Sequence, residues 1–365
     1  MGVPKDTLWE VDPHTLAKHE ILRRYLQAWF PILSSNFKRI VYIDGFSGPG
    51  HYKGNIPGSP IIALNVAIKH QKTLKGEVVF WFIEERDDRI AQLKQEISKM
   101  DNIPSHFKVR VESGTFHKTF SSVLDSIESD GANLAPTFAF IDPFGYSGIP
   151  FSLLQRLLKQ KRCEALVTFM ADSVNRFLKH PEEKIVQHII DLFGTNEVMK
   201  IAGEQGGDRV GKLRALYQSQ LHQVAKYVRY FEIRNLQDRL QYYLFFVTNN
   251  ELGHLKMKEA MWKVDRTGEF QFSDATNPDQ TVLFEVDNTS ALIDQLTSKF
   301  KGKGIVTSHD VLKYVENDTA YLKKHMTKAL RREEAAGRLK VEPLKSDGQP
   351  RRPNTYPDNT SMNFI

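Results

Sequence analysis

Val41-Tyr42-Ile43-Asp44-Gly45-Phe46-Ser47-Gly48-Pro49-Gly50 is the stretch on which the reading of this chain turns. An apolar run closes on an aspartate, a sharp glycine-rich turn follows, and a helix-like segment begins after Ser59-Pro60. Glycines at such a turn let a ligand lie against bare backbone at the carboxyl end of a strand. The logic repeats in Phe138-Ala139-Phe140-Ile141-Asp142-Pro143-Phe144-Gly145, where a second apolar strand ends in aspartate, proline and an aromatic ring. Two strand ends of this kind predict a cofactor site and a reaction site side by side on one sheet.

Outward from these stretches the chain alternates strand and helix. Apolar runs at 40–43, 78–83, 138–141 and 165–170 read as buried parallel strands. Residues 107–111 alternate apolar and basic side chains and read as a more exposed strand of the same sheet. Leu22, Tyr25, Leu26, Trp29 and Leu33 recur at helical spacing, so 13–33 is an amphipathic helix. Segments 89–100 and 119–127 read as further helices, and the alternation predicts a doubly wound α/β sheet. Residues 174–226 form a helical insertion after the fifth strand, 227–233 and 242–248 a late antiparallel hairpin, and 252–264 a helix. Residues 1–270 thus form one domain and the turn-rich 271–289 a linker. Over 290–365, three short helices (291–300, 308–315, 320–336) capped by Thr307-Ser308 and Thr319, with a hairpin of 339–344 and 361–365, describe a winged helix-turn-helix.

Composition bounds the function. The chain has 365 residues, 41% hydrophobic and 26% charged, as in an ordinary soluble protein. The lone Cys163 allows no internal disulfide and fits a reducing compartment. The N-terminus lacks the apolar core of a signal peptide, and no stretch approaches the roughly 20 apolar residues of a bilayer span. A cytoplasmic location and no membrane partner are expected. The net charge is +6, and from Ala291 onward fourteen Lys/Arg stand against nine Asp/Glu. A basic module on a near-neutral body predicts a polyanionic partner, nucleic acid first; a solvated charged helix is the alternative. No His/Cys/Asp cluster has metal-ligand spacing, and no nucleophile elbow occurs.

Two nucleotide motifs are excluded at the first glycine turn. A dinucleotide fingerprint needs glycine where Lys53 stands, and a phosphate-binding loop needs a Gly-Lys-Ser/Thr triplet that is missing there. What remains, Asp44-Gly45-Phe46-Ser47-Gly48-Pro49-Gly50, resembles motif I of methyltransferases that bind S-adenosylmethionine. The resemblance implies that the glycine backbone packs on the cofactor's methionine and ribose, with Asp44 holding the methionine amino group directly or through water. Glu84, with Glu85 as fallback, ends the second strand, where a carboxylate accepts both ribose hydroxyls. Ser113-Gly114, after the third strand, mark where the adenine would lie.

Asp142-Pro143-Phe144-Gly145 resembles the Asp-Pro-Pro-Tyr/Phe motif of amino methyltransferases and, lacking the second proline, the form found in tRNA guanine-N2 methyltransferases. An exocyclic base amine is a poor nucleophile, because its lone pair is delocalised into the ring. Accepting its hydrogens on Asp142 and a backbone carbonyl localises that pair, and Phe144 would stack on the base. Alternatively, Asp142 merely caps the following helix. His14, Lys18 and His19 lead into the Asp44 strand and Tyr52 follows the glycine turn, similar to ribosomal RNA adenine-N6 methyltransferases. Lys18 and His14 then face cofactor or substrate, unless they are simply solvated.

Taken together, Pro13-His14-Thr15, Lys18-His19, 42–50, Gly58-Ser59-Pro60, 142–145 and 247–264 resemble the bacterial three-Cys-motif partner protein (TcmP) family over nearly the whole chain. The resemblance implies a Rossmann-like class I methyltransferase domain whose companion is a separate protein with a three-cysteine, radical-SAM-like motif. The expected activity is S-adenosylmethionine-dependent N-methylation of a base in nucleic acid, RNA or DNA, docked by Lys323, Lys324, Lys328, Arg331 and Arg332. The alternatives are a non-catalytic scaffold on the same fold, and methylation of a small nucleotide-like molecule.

Overall fold

The structure is a computed structural model that describes residues 4–71, 73–145, 149–204, 207–265, 271–273, 289–344 and 348–365. Helix α1 (Pro13–Ser34) opens with proline in its first turn, where the missing N–H costs nothing. Its apolar stripe lays Tyr25, Trp29 and Phe30 on Phe138 and Phe80 of the sheet. Each such fully buried ring contributes roughly 1.5–3 kcal/mol.

Strand β1 (Arg39–Asp44) is followed by a two-stranded ribbon, β2 (His51–Tyr52) with β3 (Ile56–Pro57), and by α2 (Ser59–Ile68). Then β4 (Glu77–Glu84), α3 (Asp87–Ser98), β5 (Phe107–Ser113), α4 (Phe116–Ser129), β6 (Thr137–Ile141), α5 (Phe151–Lys159) and β7 (Cys163–Phe169) alternate as expected. Four helices follow β7: α6 (Ala171–Phe177), α7 (Glu183–Phe193), α8 (Val198–Gly203) and α9 (Arg209–His222). The hairpin β8 (Tyr227–Arg234) and β9 (Leu240–Thr248), α10 (Glu251–Val264) and a short β10 (Gln271–Ser273) complete the sheet.

Its order is β10-β8-β9-β7-β6-β1-β4-β5. Strands β5, β4, β1, β6 and β7 run parallel, and β9 is antiparallel to both β7 and β8. This is the Rossmann-like sheet of five parallel strands with a late antiparallel hairpin, carrying a helical insertion between β7 and β8. Strands β6 and β7 are buried along their whole length, whereas β5, at the edge, alternates toward solvent. The order in which the chain adds strands reverses between the parallel neighbours β1 and β6, with Asp44 opposite Phe140. A crevice opens there, beyond the carboxyl ends of the strands.

The chain divides into two compact units, Met1–Ala260 with Gln271–Thr276, and Met261–Phe270 with Asn277–Ile365. The division falls inside α10, ahead of the boundary expected at 270. Residues 271–273, expected in a linker, instead pair in parallel with Glu232–Arg234 of β8. A three-residue edge strand carries no periodicity to read, and Phe272 is its only buried side chain. The remainder of that expected linker, apart from Thr289, lies outside the described residues.

The second unit holds α11 (Thr289–Phe300), β11 (Val306–Thr307), α12 (Ser308–Asp318), α13 (Lys323–Ala335), β12 (Leu339–Val341) and β13 (Ser361–Phe364). Its three strands form an antiparallel sheet in the order β11-β13-β12. Thr307 caps α12 in a reciprocal box with Asp310. Thr319 does not cap α13, which starts at Lys323; its hydroxyl donates to the Val315 carbonyl at 2.7 Å, ending α12 instead.

Candidate active site at the carboxyl ends of the central strands

The glycine turn is built as a cradle. Gly48 and Gly50 have φ of +64° and +88°, the left-handed region that side chains avoid. A Cβ on Gly50 would stand 2.9 Å from Leu93. The turn is tied to β4 at two points: Ser47 donates its N–H and hydroxyl to the Ile83 carbonyl at 3.0 and 3.1 Å. Gly48 N–H donates to Glu84 Oε2 at 2.8 Å. The other Glu84 oxygen accepts the amides of Glu85 and Arg86, both at 3.0 Å, so the carboxylate is locked beside the turn while Glu85 is exposed. On the far side, Gly45 N–H donates to Phe140 O at 2.9 Å, joining the turn to the strand that ends in Asp142.

Asp142 is held from two sides. Thr168 Oγ1 donates to Oδ1 at 2.6 Å, and Lys18 Nζ meets Oδ2 at 2.5 Å. The side chains of Lys18 and Asp142 are only 6% and 21% exposed, so the pair is largely desolvated. The Lys18 ammonium also lies 4.9 Å from the centre of the Tyr242 ring, whose hydroxyl donates to His14 O at 3.0 Å. These contacts remove two alternatives. Lys18 and His14 are buried rather than solvated, and Asp142 does not cap the next helix, which begins only at Phe151 after Pro150.

Asp44 is fully buried. Burial raises its carboxyl to about 7, opposed by donors from Ser59 and the Phe46 amide and reinforced by the nearby Asp142 and Glu84 carboxylates. It meets the cleft through Ser59 rather than directly. His19 falls to about 3 through burial and the neighbouring Lys18, with Asp142 opposing, and is therefore a neutral imidazole. Its ring centroid is 5.8 Å from that of Tyr52, whose phenol is pushed up by burial and by Asp142.

Phe46, Gly48, Gly50, Tyr52, Asp142 and Phe144 line one cleft with a cavity volume of about 30 Å³. That is well below the ~300–1,000 Å³ usual for small-molecule sites. Sequence reading missed several of its members. Trp9 packs edge-on against Tyr52 and Phe144 at 5.3 and 6.3 Å, and the Arg89 guanidinium lies 4.6 Å from its ring. Trp9 sits outside any periodic segment, and Thr168 and Tyr242 are distant in sequence from the residues they hold. Ser59 stands in a quoted motif, but nothing in the sequence marks its bond to Asp44. Pro143 is buried, and Gly145 has a φ of +76°. Gly114, with a φ of +144°, donates to Glu84 O at 3.0 Å, while Ser113 is exposed at the edge strand. Lys323, Lys324, Lys328, Arg331 and Arg332 belong to the other unit, exposed on α13. Of these, Arg331 donates to Asn354 O at 2.8 Å and Arg332 to Ser290 Oγ at 3.2 Å. Among the described residues no group of His, Cys, Asp and Glu is arranged to hold a metal, and no helix is long and apolar enough to cross a membrane.

No family model and no curated protein matches the chain. Among solved structures it is similar to protein LPL1258 from Legionella pneumophila, of family model DUF519, at 15% identity over 65% of this chain and 85% of that one (TM-score 0.38). It is similar to Trm1 from Pyrococcus horikoshii in complex with S-adenosyl-L-methionine at 13% identity over 100% and 94% (TM-score 0.37). It is similar to magnesium protoporphyrin IX methyltransferase (ChlM) from Synechocystis PCC 6803 with bound SAH at 9% identity over 66% and 89% (TM-score 0.32). These likenesses are weak, and the fold is assigned here from strand order and direction.

Proposed function

We propose that the protein is an S-adenosylmethionine-dependent methyltransferase that N-methylates an exocyclic base amine in nucleic acid. The observation that carries this reading is the convergence of Asp44, Glu84 and Asp142 on one glycine cradle walled by Trp9, Phe46, Tyr52 and Phe144. Acidic groups beneath an aromatic-walled cleft fit a flat ligand with positive charge, which an adenosyl sulfonium bearing an ammonium group is. Asp44 suits that ammonium because its partners are the Ser59 and Tyr42 hydroxyls and the Phe46 amide, and no cation offsets its burial. Glu84 suits the ribose hydroxyls.

When bound, the cofactor supplies an electrophilic methyl group. The chain's own task is to make the base amine nucleophilic. Asp142 accepts an amine hydrogen and so returns the lone pair to nitrogen; Lys18 and Thr168 fix the direction in which the carboxylate does so. The neutral His19 and the phenol of Tyr52 add no cation to the one that Lys18 already places on Asp142. The weak similarity to Trm1 adds nothing to the substrate assignment, which rests on the Asp142-Pro143-Phe144 arrangement and on the basic second unit. We read that unit, with its three helices and small sheet, as a winged helix-turn-helix that docks the polymer. The resemblance to three-Cys-motif partner proteins adds a separate three-cysteine, radical-SAM-like companion.

Calorimetric titration of S-adenosylmethionine into the wild type and Gly48→Arg tests the cofactor site: binding in the first and none in the second is expected, and no heat with the wild type ends the reading. One observation favours a scaffold instead, since both Asp142 oxygens already carry donors. Cofactor binding without any methyl transfer to RNA or DNA would establish that reading. Mass spectrometry of nucleosides from cells with and without the protein separates polymer from small-molecule substrates.

A further inference from the structure

Glu164, at the amino end of β7, takes no part in the chemistry proposed above. It stands four residues before Thr168, so about 13 Å of strand, at ~3.3 Å per residue, separates it from the cleft. The residue is 5% exposed. Its carboxylate accepts the Tyr25 hydroxyl, and that of Thr248 at 3.0 Å. Burial raises its pKa to about 7, offset only by neutral donors, with no cation contributing. Beside it the indole N–H of Trp29, a residue 4% exposed, makes no hydrogen bond of good geometry, although it stands near enough to Glu164 to lower the carboxyl's pKa.

Both face a cavity of about 220 Å³, smaller than the ~300–1,000 Å³ of drug-sized sites and so suited to a ligand of a single ring. Its walls are apolar and aromatic, from Trp29 and Leu33 of α1, Phe37, and Leu252 at the start of α10. Gly253 keeps the carboxylate open: a Cβ there would come 2.7 Å from Glu164 Oε2 and 3.2 Å from Tyr25 Oη. The cations on the lining are already engaged, Arg162 over the Phe37 ring at 4.8 Å and Lys256 with Glu259 at 2.8 Å. An anionic ligand would face a carboxylate, and a purely apolar one would leave the carboxylate's remaining lone pairs unpaired.

The geometry points to a second ligand site, at the opposite end of the parallel strands from the glycine cradle, that takes a small aromatic amine or amidine. The ring packs on the Trp29 and Phe37 walls, and its N–H groups donate to Glu164. The inference does not depend on the methyltransferase reading.

Benzamidine is the probe, with benzoate as the control of equal shape and opposite charge, titrated by calorimetry and ligand-observed NMR into the full chain. Saturable benzamidine binding is expected, with none for benzoate, weakened about tenfold or more in Glu164→Gln, as befits a charged hydrogen bond. Leu252→Arg changes an exposed position of the lining and places a cation there, so it carries the test should Glu164→Gln fail to fold; it too weakens binding. Absence of saturable benzamidine binding, equal binding of benzoate, or affinity unchanged in the variants overturns the proposal and leaves Glu164 as a strut between α1 and the sheet.

Discussion

Asp44 makes the sharpest statement at the scale of one residue. Its carboxyl titrates near 7 in the folded chain against 3.8 ordinarily. The folded state therefore keeps a proton that the unfolded state releases, and Asp44's contribution to stability is present below pH 4 and lost as pH rises toward 7. His19, held near 3, acts in the opposite sense and stabilises only above its ordinary 6.5. The two are separated by comparing the wild type with Asp44→Asn in urea unfolding. The variant should gain on the wild type with a slope approaching about 1.4 kcal/mol per pH unit between pH 4 and 7; a flat difference contradicts the environment assigned to Asp44. The Lys18–Asp142 pair yields a second prediction. Lys18→Met leaves a largely buried carboxylate without its cation and should destabilise by about 3 kcal/mol, the low end for breaking a buried pair, since Asp142 keeps some solvent. Chemical denaturation measures this, and a loss below about 1 kcal/mol would show the pair to be solvated.

Among the elements, what was legible followed from burial. Strands β1, β4, β6 and β7 are continuous apolar runs because they are covered on both faces, and α1 shows its stripe because one side packs on the sheet. The strand ends at Asp44, Glu84 and Asp142 were legible for the same reason: polarity resumes where the sheet stops. Strand β10 was not, since three residues carry no period. Nor was the segment from Pro4 to Glu10, whose placement is tertiary: its Pro4 carbonyl accepts from Arg86 at 3.0 Å and Arg89 at 2.7 Å, and Thr7 donates to Asp88 at 2.5 Å. This segment brings Trp9 to the cleft, where its ring lies 3.8 Å from where a Gly48 Cβ would be. Trp9→Ala should therefore weaken S-adenosylmethionine binding by about tenfold, the loss of one aromatic wall, with melting temperature little changed. Unaltered affinity by calorimetry would place Trp9 outside the ligand's reach.

The whole molecule joins a nearly neutral Rossmann-like unit to a basic one, and charge placement separates the readings of the latter. Of the net +6, +5 resides from Ala291 onward. Arg331 and Arg332 already bond within their own unit, to Asn354 O and Ser290 Oγ, so Lys323 and Lys324, exposed at the start of α13, are the better test of polymer docking. If these lysines neutralise phosphates, binding of a duplex oligonucleotide releases counterions and log affinity falls with log salt by ~0.9 per phosphate contact. The double variant Lys323→Glu, Lys324→Glu should bind a fluorescent duplex at least about tenfold more weakly at low salt, with a slope shallower by up to about two contacts. Its S-adenosylmethionine titration should match the wild type, because the cradle residues belong to the other unit. Anisotropy measured across a salt series reads both quantities. An unchanged slope alongside intact cofactor binding would detach the basic face from phosphate recognition and turn the second unit toward a protein partner, while leaving the chemistry assigned to Asp142 where it stands.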